Sequence, residues 1–345
     1  MVYLCSMVHS AEHGFSPETE RKVLVVDSGS ALIGKEVMSR CEDTVVDDQE
    51  HGLFAVADGM GGMPHGDVAS RLACTTLDST FARSKKRGMA EKLQESVDVC
   101  ANAMHAQKTD PKFAGMGTTL TAVAAEASTD GTVELAIAHV GDSRGYLIRQ
   151  DSGVLERLTT DDGFVELLVS SGILPEAIGR AIDQSTKRGE DVPEHPVLKD
   201  RATLESAINA AIVPWNRFSR DLTSLKRCLR ETENRLSSRH NRTATQLLYH
   251  MSSYLLNSMD TGATTSPTVR SVKARTGDTL VICSDGITDV LTEKEIETIV
   301  RESLLKKMSA REIARQIAEA AEASSGNRKK RDDRAVVVVI LGQET

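Results

Sequence analysis

Short apolar runs and longer amphipathic segments divide most of the chain between them. Runs typical of β-strands are VLVVD (23–27), LFAVAD (53–58), TTLTAVAAE (118–126), VELAIAHV (133–140), GYLIRQ (145–150), TLVICSD (279–285) and AVVVVILG (335–342). Apolar residues at helical spacing predict helices over 67–84, 89–108, 293–305 and 310–323. The helices cluster between strand hairpins and do not alternate with strands one to one. This order predicts an α+β fold of antiparallel sheets with helices packed outside them.

The segment from 175 to 242 has a different pattern. Strand signals stop, and the sequence becomes charged and helical, with Leu222, Leu225, Leu229 and Leu236 at roughly helical spacing. Such a stripe is typical of an amphipathic helix packed on a core, and a partner-binding arm is the alternative. No Gly/Ser-rich or Pro-rich linker borders the segment. We therefore predict a helical insertion within a single domain of residues 1–345, with a loose terminus at 1–20.

Composition narrows the class of protein. The chain has 345 residues, of which 40% are hydrophobic, so it can bury a globular core. A net charge of −8 and an aromatic content of 3% argue against binding nucleic acid. The longest apolar run, 335–341, is far shorter than the roughly 20 residues of a membrane helix. The first residues lack the basic and apolar regions of a signal peptide, so neither a membrane span nor secretion is expected.

Cysteine usage predicts a cytoplasmic location. The six cysteines are scattered without CxxC spacing, at Cys5, Cys41, Cys74, Cys100, Cys228 and Cys283. This distribution is typical of reduced thiols in a reducing compartment and does not indicate a zinc site.

Acidic residues recur where apolar strands begin or end. They are Asp58, Asp142, Asp285 and Asp333, and the pair Glu42 and Asp43 precedes a further apolar run. Carboxylates brought to one rim by neighbouring strands repel each other unless cations lie among them. Mg²⁺ and Mn²⁺ take such oxygen ligands, and Gly59, which has no Cβ, lets a backbone carbonyl approach a metal. The pattern predicts a divalent metal site, with a simple hairpin turn as the alternative for Asp142.

Six motifs in a fixed order carry a resemblance to a known family. VADGMGG, GMGTTLTAV, AHVGDSRGYLIR, LTTDD, TGDTLVICSDGITDVLTEKEI and DDRAVVVVI resemble the successive motifs of the metal-dependent protein phosphatases, the protein phosphatase 2C or PPM family. Met60, where animal and plant members usually have histidine, suggests the bacterial type. The resemblance spans about 23–342 outside the central insertion. It implies a four-layer αββα sandwich, a binuclear Mn²⁺ or Mg²⁺ centre, and hydrolysis of phosphoserine and phosphothreonine in proteins.

The resemblance also implies a role for each matching residue. Asp58 corresponds to the ligand that bridges two metals, and Gly59 to the residue whose carbonyl binds the first metal. Asp285 and Asp333 correspond to the carboxylates of the second metal, and Asp142 corresponds to a ligand of a third, more weakly bound ion. Glu42 and Asp43 correspond to the pair that binds metal-bound waters. A water activated between the metals attacks phosphorus, so no protein nucleophile is required.

Two positions depart from the family pattern. The phosphate-binding arginine expected four residues before Glu42 is Met38, and Arg40 lies close enough in sequence to replace it. The asparagine expected after the last metal aspartate is Arg334, which is therefore a second candidate for binding phosphate. The departures leave an alternative function open, that of a catalytically weak phosphatase-like domain that binds phosphoproteins without turnover.

Three other features have competing interpretations. Gly29 to Lys35 has the spacing of a nucleotide-binding P-loop, but Glu36 stands where Ser or Thr must hold Mg²⁺. A first hairpin of the sandwich is the better interpretation. His139 lies inside a predicted strand and is interpreted as a core histidine, whereas His65, near the Asp58 loop, is a candidate for protonating the leaving alkoxide.

Overall fold

The structure is a computed structural model that describes residues 26–34, 41–60, 65–128, 130–188, 193–199, 202–204, 206–207, 255, 258–260, 267, 269–324 and 332–342. Its strands are β1 (Val26–Ile33), β2 (Asp43–Asp48), β3 (Leu53–Asp58), β4 (Gly117–Thr118), β5 (Leu120–Ala127), β6 (Thr132–Val140), β7 (Arg144–Ile148), β8 (Leu155–Arg157), β9 (Met259–Asp260), β10 (Val269–Arg275), β11 (Thr279–Cys283) and β12 (Arg334–Leu341). Its α-helices are α1 (Gly66–Arg83), α2 (Met89–Ala106), α3 (Phe164–Ser170), α4 (Glu176–Arg188), α5 (Asp285–Thr288), α6 (Glu293–Leu305) and α7 (Ala310–Ser324).

Two five-stranded sheets form the centre of the molecule. The first sheet has the order β10-β6-β5-β3-β2, and the second has the order β1-β12-β11-β7-β8. Every neighbouring pair in both sheets is antiparallel. The short strands β4 and β9 form a separate antiparallel pair.

Alternation along the strands divides the core into layers. Leu53 packs beneath α1 and α2, whereas its neighbour Phe54 faces the second sheet. On β12, Val337 faces the first sheet and Val336 packs against the helical layer of α5, α6 and α7. The predicted α+β class and four-layer αββα sandwich are confirmed.

The helices lie close to their predicted positions because their end signals are local. Helix α6 begins at a capping box, in which the Thr292 hydroxyl accepts from the Glu295 N–H and the Glu295 carboxylate accepts from the Thr292 N–H. Its bounds, Glu293–Leu305, match the prediction. Helix α2 stops at Ala106, and Gln107–Thr109 continues it as one 3₁₀ turn.

The first strand differs from its prediction. The run predicted at 23–27 overlaps only the start of β1, which continues through Gly29 to Ile33 and pairs with β12. The P-loop interpretation is wrong, because Gly29 to Ile33 are extended strand and not a loop. The hairpin interpretation is also wrong, because β1 does not pair with β2. Gly29 permits the close approach of α7, since a Cβ there would lie 2.3 Å from the Arg311 Cα.

The predicted insertion is described only in part. Helix α4 and a 3₁₀ turn at Pro196–Leu198 lie within 175–242, as expected of a helical segment. Leu222, Leu225, Leu229 and Leu236, together with residues 1–20, lie outside the described residues, so those expectations stay predictions. None of the helices in the described ranges combines the length and the apolar character that crossing a bilayer demands.

Candidate metal centre

Two aspartates of the first sheet point into the space between the sheets. The register of β2 and β3 places Asp43 directly opposite Asp58. Side chains two residues apart share a face of a strand, and Val45 and Val56 both pack in the core between the sheets. Asp43 and Asp58 therefore face the second sheet, at the end of the sandwich where β3 stops.

The second sheet contributes carboxylates by the same alternation. Asp333 precedes β12, whose Ala335 faces the first sheet, so Asp333 is directed to the same space. Asp285 opens α5 directly after β11. Ser284 lies between the end of β11 and Asp285. Its hydroxyl donates to Asp43 Oδ2 at 2.7 Å and thereby connects the end of β11 to β2.

Backbone hydrogen bonds hold the surrounding segments together. The Glu42 N–H donates to Asp333 Oδ2 at 2.7 Å, and the Gly59 N–H donates to the Glu42 carbonyl at 3.0 Å. The residues before β2, after β3 and before β12 are thus linked in one network. The main chain of Glu42 connects the two sides of this network, because its N–H donates to Asp333 and its carbonyl accepts from Gly59.

The clustered carboxylates perturb each other strongly. Burial raises the pKa of Asp43 to about 8, and the charges of Asp285 and Asp333 contribute in the same direction against the hydrogen bond from Ser284. Burial likewise raises the pKa of Asp58 well above its usual range, with added repulsion from Asp43, Asp285 and Asp332. Such a group lowers its free energy by taking up positive charge, either as protons or as metal cations.

The donor set fits hard divalent cations. All the candidate ligand atoms are oxygens, and Asp43 Oδ1 is buried with no hydrogen-bond partner in the described part of the chain. Mg²⁺ and Mn²⁺ keep several waters, so a few protein oxygens per ion are sufficient. Within the described ranges, no group of three or more His, Cys, Asp or Glu side chains is arranged so that it could hold a metal ion. A water-rich site between the sheets is consistent with both observations.

Two glycines allow the backbone to close around these carboxylates. A Cβ on Gly59 would lie 2.3 Å from the Gly66 carbonyl oxygen and 2.8 Å from that of Glu42. A Cβ on Gly286 would lie 1.9 Å from the Asp333 carbonyl oxygen. None of these three distances is tolerable for a real Cβ atom, so packing requires glycine at both positions.

Asp142 lies beside this cluster, in the turn between β6 and β7. Thr119 Oγ1 accepts from the Asp58 N–H at 3.0 Å and lies 2.7 Å from Ser143 Oγ, which ties the turn to Asp58. Asp142 lines a neighbouring cavity of about 340 Å³. It is not among the main charges that act on Asp43 and Asp58.

The sequence prediction missed Asp332. The charge of Asp332 acts on Asp58, whereas Asp333 accepts the hydrogen bond from Glu42 and acts on Asp43. The sequence did contain a signal for Asp332, namely the Asp-Asp pair before the strand. Two adjacent acidic residues there can each contact a different neighbour. Both aspartates are therefore candidates for the position assigned to Asp333 alone.

Arg334 lies on the opposite face of β12 from the carboxylates. The residue is only 3% exposed, and its Nη1 lies 2.5 Å from Glu322 Oε2 on α7. It shares that face with Val336, which packs in the helical layer. Binding phosphate would require the ion pair to break, so the structure does not favour the role predicted for Arg334. Arg40 and Met38 lie outside the described residues.

The two histidines differ in their surroundings. His65 precedes α1 in the left-handed conformation, with φ of 64°, and its ring packs edge-on against Phe113 at 5.4 Å between centroids. This contact orients the His65 ring, and its role in protonation stays a prediction. His139 Nδ1 lies 2.8 Å from Thr121 Oγ1, and His139 Nε2 donates to the Thr160 carbonyl at 3.0 Å. Both ring nitrogens are engaged, as expected of a structural histidine.

Comparisons with known proteins place this arrangement in a family. The chain is 41% identical over 126 residues to the serine/threonine protein phosphatase PstP of Mycobacterium tuberculosis, a match covering 36% of this chain and 23% of PstP. It is 25% identical over 259 residues to the serine/threonine phosphatase Stp of Listeria innocua, covering 72% of this chain and 71% of Stp. A crystal structure of the PstP catalytic domain in complex with two manganese ions superposes with a TM-score of 0.60 at 24% identity, over 93% of this chain and all of that one.

The chain thus spans less than a quarter of PstP, and the structural likeness by itself establishes only the fold. The family model described as protein phosphatase 2C matches residues 36–323, which include Asp43, Asp58, Asp142 and Asp285. Because that match covers most of the chain, this protein belongs to the protein phosphatase 2C family.

Proposed function

We propose that this protein is a bacterial-type serine/threonine phosphoprotein phosphatase that hydrolyses phosphomonoesters with two Mn²⁺ or Mg²⁺ ions, and with a third that binds more weakly. The observation that carries the proposal is the convergence of Asp43, Asp58, Asp285 and Asp333 between the sheets. The names of PstP and Stp and the manganese ions in the PstP structure support it.

Each acidic residue has a distinct place in this proposal. Asp58 and the Gly59 carbonyl would hold the ions together with Asp285 and with Asp332 or Asp333. Glu42 and Asp43 would bind the waters around the ions, and Asp142 would bind the third ion. Bound cations supply a water of lowered pKa and neutralise charge on the phosphoryl oxygens. The chain's own contribution is to hold the carboxylates in a fixed arrangement between the sheets.

The proposed substrates are proteins phosphorylated on serine or threonine, in the cytoplasm. Three buried cysteines among the described residues, Cys74, Cys100 and Cys283, are free thiols, which supports a reducing compartment. Phosphate would be bound by the ions and by Arg40, since Arg334 is engaged by Glu322.

The test is hydrolysis of para-nitrophenyl phosphate and of a phosphothreonine peptide, with added Mn²⁺ and with EDTA. Turnover should require the metal. Asp58→Asn and Asp285→Asn should each lower kcat/KM at least about a hundredfold, because even an outer partner of a metal ligand contributes 10- to 100-fold. The matched control is Asp151→Asn, at an exposed acid whose side chain is 75% accessible, and it should keep wild-type kinetics.

Full activity of Asp58→Asn would overturn the proposal. Binding of the phosphopeptide without turnover by the wild-type protein would favour the alternative, a phosphatase-like domain that acts as a phosphoprotein-binding regulator. Calorimetric titration of Mn²⁺ into Asp332→Asn and Asp333→Asn would assign the second carboxylate, because only the variant that loses a ligand should bind Mn²⁺ more weakly.

A further inference from the structure

A second charged cluster lies next to the turn that carries Asp142. We call it the Arg144 cluster; its members are Arg144, Arg157, Asp161 and Asp183. Arg144 Nε donates to Asp161 Oδ1 and Oδ2 at 3.1 and 3.0 Å. Arg144 Nη2 donates to Asp161 Oδ2 and to Asp183 Oδ2, both at 2.6 Å. Arg157 Nη2 forms a further ion pair with Asp161 Oδ1.

Asp183 balances the charge of this cluster. Arg144 is only 6% exposed, and burial alone would lower its pKa. Asp161 and Asp183 instead raise the pKa of Arg144 well above its usual range, so the guanidinium stays charged. Without Asp183, two guanidinium groups would share the single carboxylate of Asp161. A buried charge left partly unpaired is strongly unfavourable.

Asp183 comes from a different part of the chain than its partners. Arg144 begins β7, Arg157 ends β8 and Asp161 follows β8, whereas Asp183 lies on α4. Its carboxylate therefore docks α4 onto the edge of the second sheet. The ion pair between Arg180 of α4 and Glu293 of α6 is long, at 3.7 Å, and half-exposed, so it contributes little.

Helix α4 forms one wall of the cavity of about 340 Å³ that Asp142 also lines. Glu176, Gly179, Arg180 and Asp183 provide this wall. Close packing of α4 on α3 supports it, because a Cβ on Gly179 would lie 2.2 Å from Val169 Cγ2. The cavity has the size of a small ligand pocket and adjoins the candidate metal centre through the Asp142 turn.

The charges of the lining indicate the kind of peptide that suits the cavity. Five of its side chains are acidic, Asp142, Asp161, Glu166, Glu176 and Asp183, and three are arginines, Arg144, Arg157 and Arg180. The formal balance is net acidic, so basic side chains are the complementary partners.

We propose that Asp183 is a positioning residue for substrate recognition, which holds α4 as a wall of this cavity so that the cavity receives residues flanking the phosphorylated serine or threonine of a protein. The inference rests on the proposed function. A small aryl phosphate has no flanking residues and makes no use of α4. Removal of the Asp183 charge should therefore impair protein substrates selectively.

The experiment compares the wild-type protein with Asp183→Asn and the matched control Asp151→Asn. Hydrogen exchange of 176–188 should become at least about tenfold faster in Asp183→Asn, because a charge-assisted hydrogen bond to a docked helix is lost. KM for a phosphothreonine peptide with two flanking arginines should rise several-fold. kcat and KM for para-nitrophenyl phosphate should stay within about twofold of wild type, as should every parameter of the control.

Unchanged exchange of 176–188 in Asp183→Asn would overturn the docking role. An equal loss of activity toward peptide and para-nitrophenyl phosphate would overturn the recognition role, because it would place Asp183 in support of the chemistry. If the wild-type protein hydrolyses neither substrate, the proposed function itself fails and the recognition role with it, while the exchange measurement still decides whether Asp183 docks α4.

Discussion

Asp43 and Asp58 face each other across β2 and β3, in the register where like charges destabilise a sheet. The folded-state pKa of Asp43, raised from 3.8 to about 8, means that the folded protein binds more protons than the unfolded chain between these values. The stability that Asp43 contributes to the metal-free protein should therefore be lost as pH rises from 4 to 8. Asp43→Asn should flatten this dependence and raise the Tm in EDTA at pH 8.5.

Mn²⁺ should have the opposite effect on the wild-type protein. The cation replaces the protons, so added Mn²⁺ should raise the wild-type Tm at pH 8.5 and should raise that of Asp43→Asn much less. Differential scanning fluorimetry with and without Mn²⁺ measures both effects. Asp151→Asn is the control, and an equal Mn²⁺ response in all three proteins would contradict a cation site at Asp43.

His139 should make the protein sensitive to acid. Desolvation lowers the pKa of His139 from 6.5 to about 4, so the unfolded chain binds the extra proton in this range. The contribution of His139 to stability should rise with pH between 4 and 6.5, by up to about 1.4 kcal/mol per pH unit, which opposes the contribution of Asp43 in that range. Urea unfolding of His139→Asn should give a shallower dependence in that window. A slope identical to wild type would show that other groups dominate acid unfolding.

Lys307 is a site where stability can be gained. It has φ of 55° and completes a C-terminal motif on α6, in which the Met308 N–H donates to the Ser303 carbonyl at 3.1 Å. Lys307→Gly should raise the free energy of unfolding by about 1 kcal/mol, because glycine adopts the left-handed conformation without strain. Lys306→Gly, where φ is −83°, should lower it instead. Chemical denaturation of both variants checks the contrast.

Gly286 should tolerate no side chain. Gly286→Ala places a methyl group against the Asp333 carbonyl and should destabilise the fold by about 1 to 3 kcal/mol. The control is Gly145→Ala, where the nearest atom would be the Thr159 Cγ2 at an ordinary 3.5 Å. Thermal melts that rank the two variants equally would contradict the close approach of α5 to β12.

Arg334 should act on stability and not on substrate binding. Arg334→Met keeps much of the side-chain volume but removes the ion pair with Glu322, and we expect a loss of about 1 to 3 kcal/mol in the free energy of unfolding. KM for para-nitrophenyl phosphate should be unchanged, because the guanidinium faces the helical layer. A large rise in KM without loss of stability would restore Arg334 as the phosphate-binding residue.

The α+β class, most helices and strands, and the acidic residues at strand ends follow from the amino-acid sequence alone. These features depend on local signals: alternation of apolar residues, helical spacing and helix caps such as Thr292 with Glu295. Strands with polar or mixed patterns were harder to recognise. Strand β10, with Arg270, Lys273 and Arg275, escaped prediction because it lies at a sheet edge and buries little of its surface.

The neighbours of the charged residues, in contrast, depend on the tertiary packing. Asp332 and Asp333 are adjacent in sequence, yet their charges act on Asp58 and on Asp43 respectively. Arg334, one residue further, turns to the helices and pairs with Glu322. The docking of Asp183 on Arg144 joins residues 39 positions apart. Strand alternation fixes the side of the sheet to which a residue points, but the partner found there depends on how two sheets and their helices pack, which no local pattern contains.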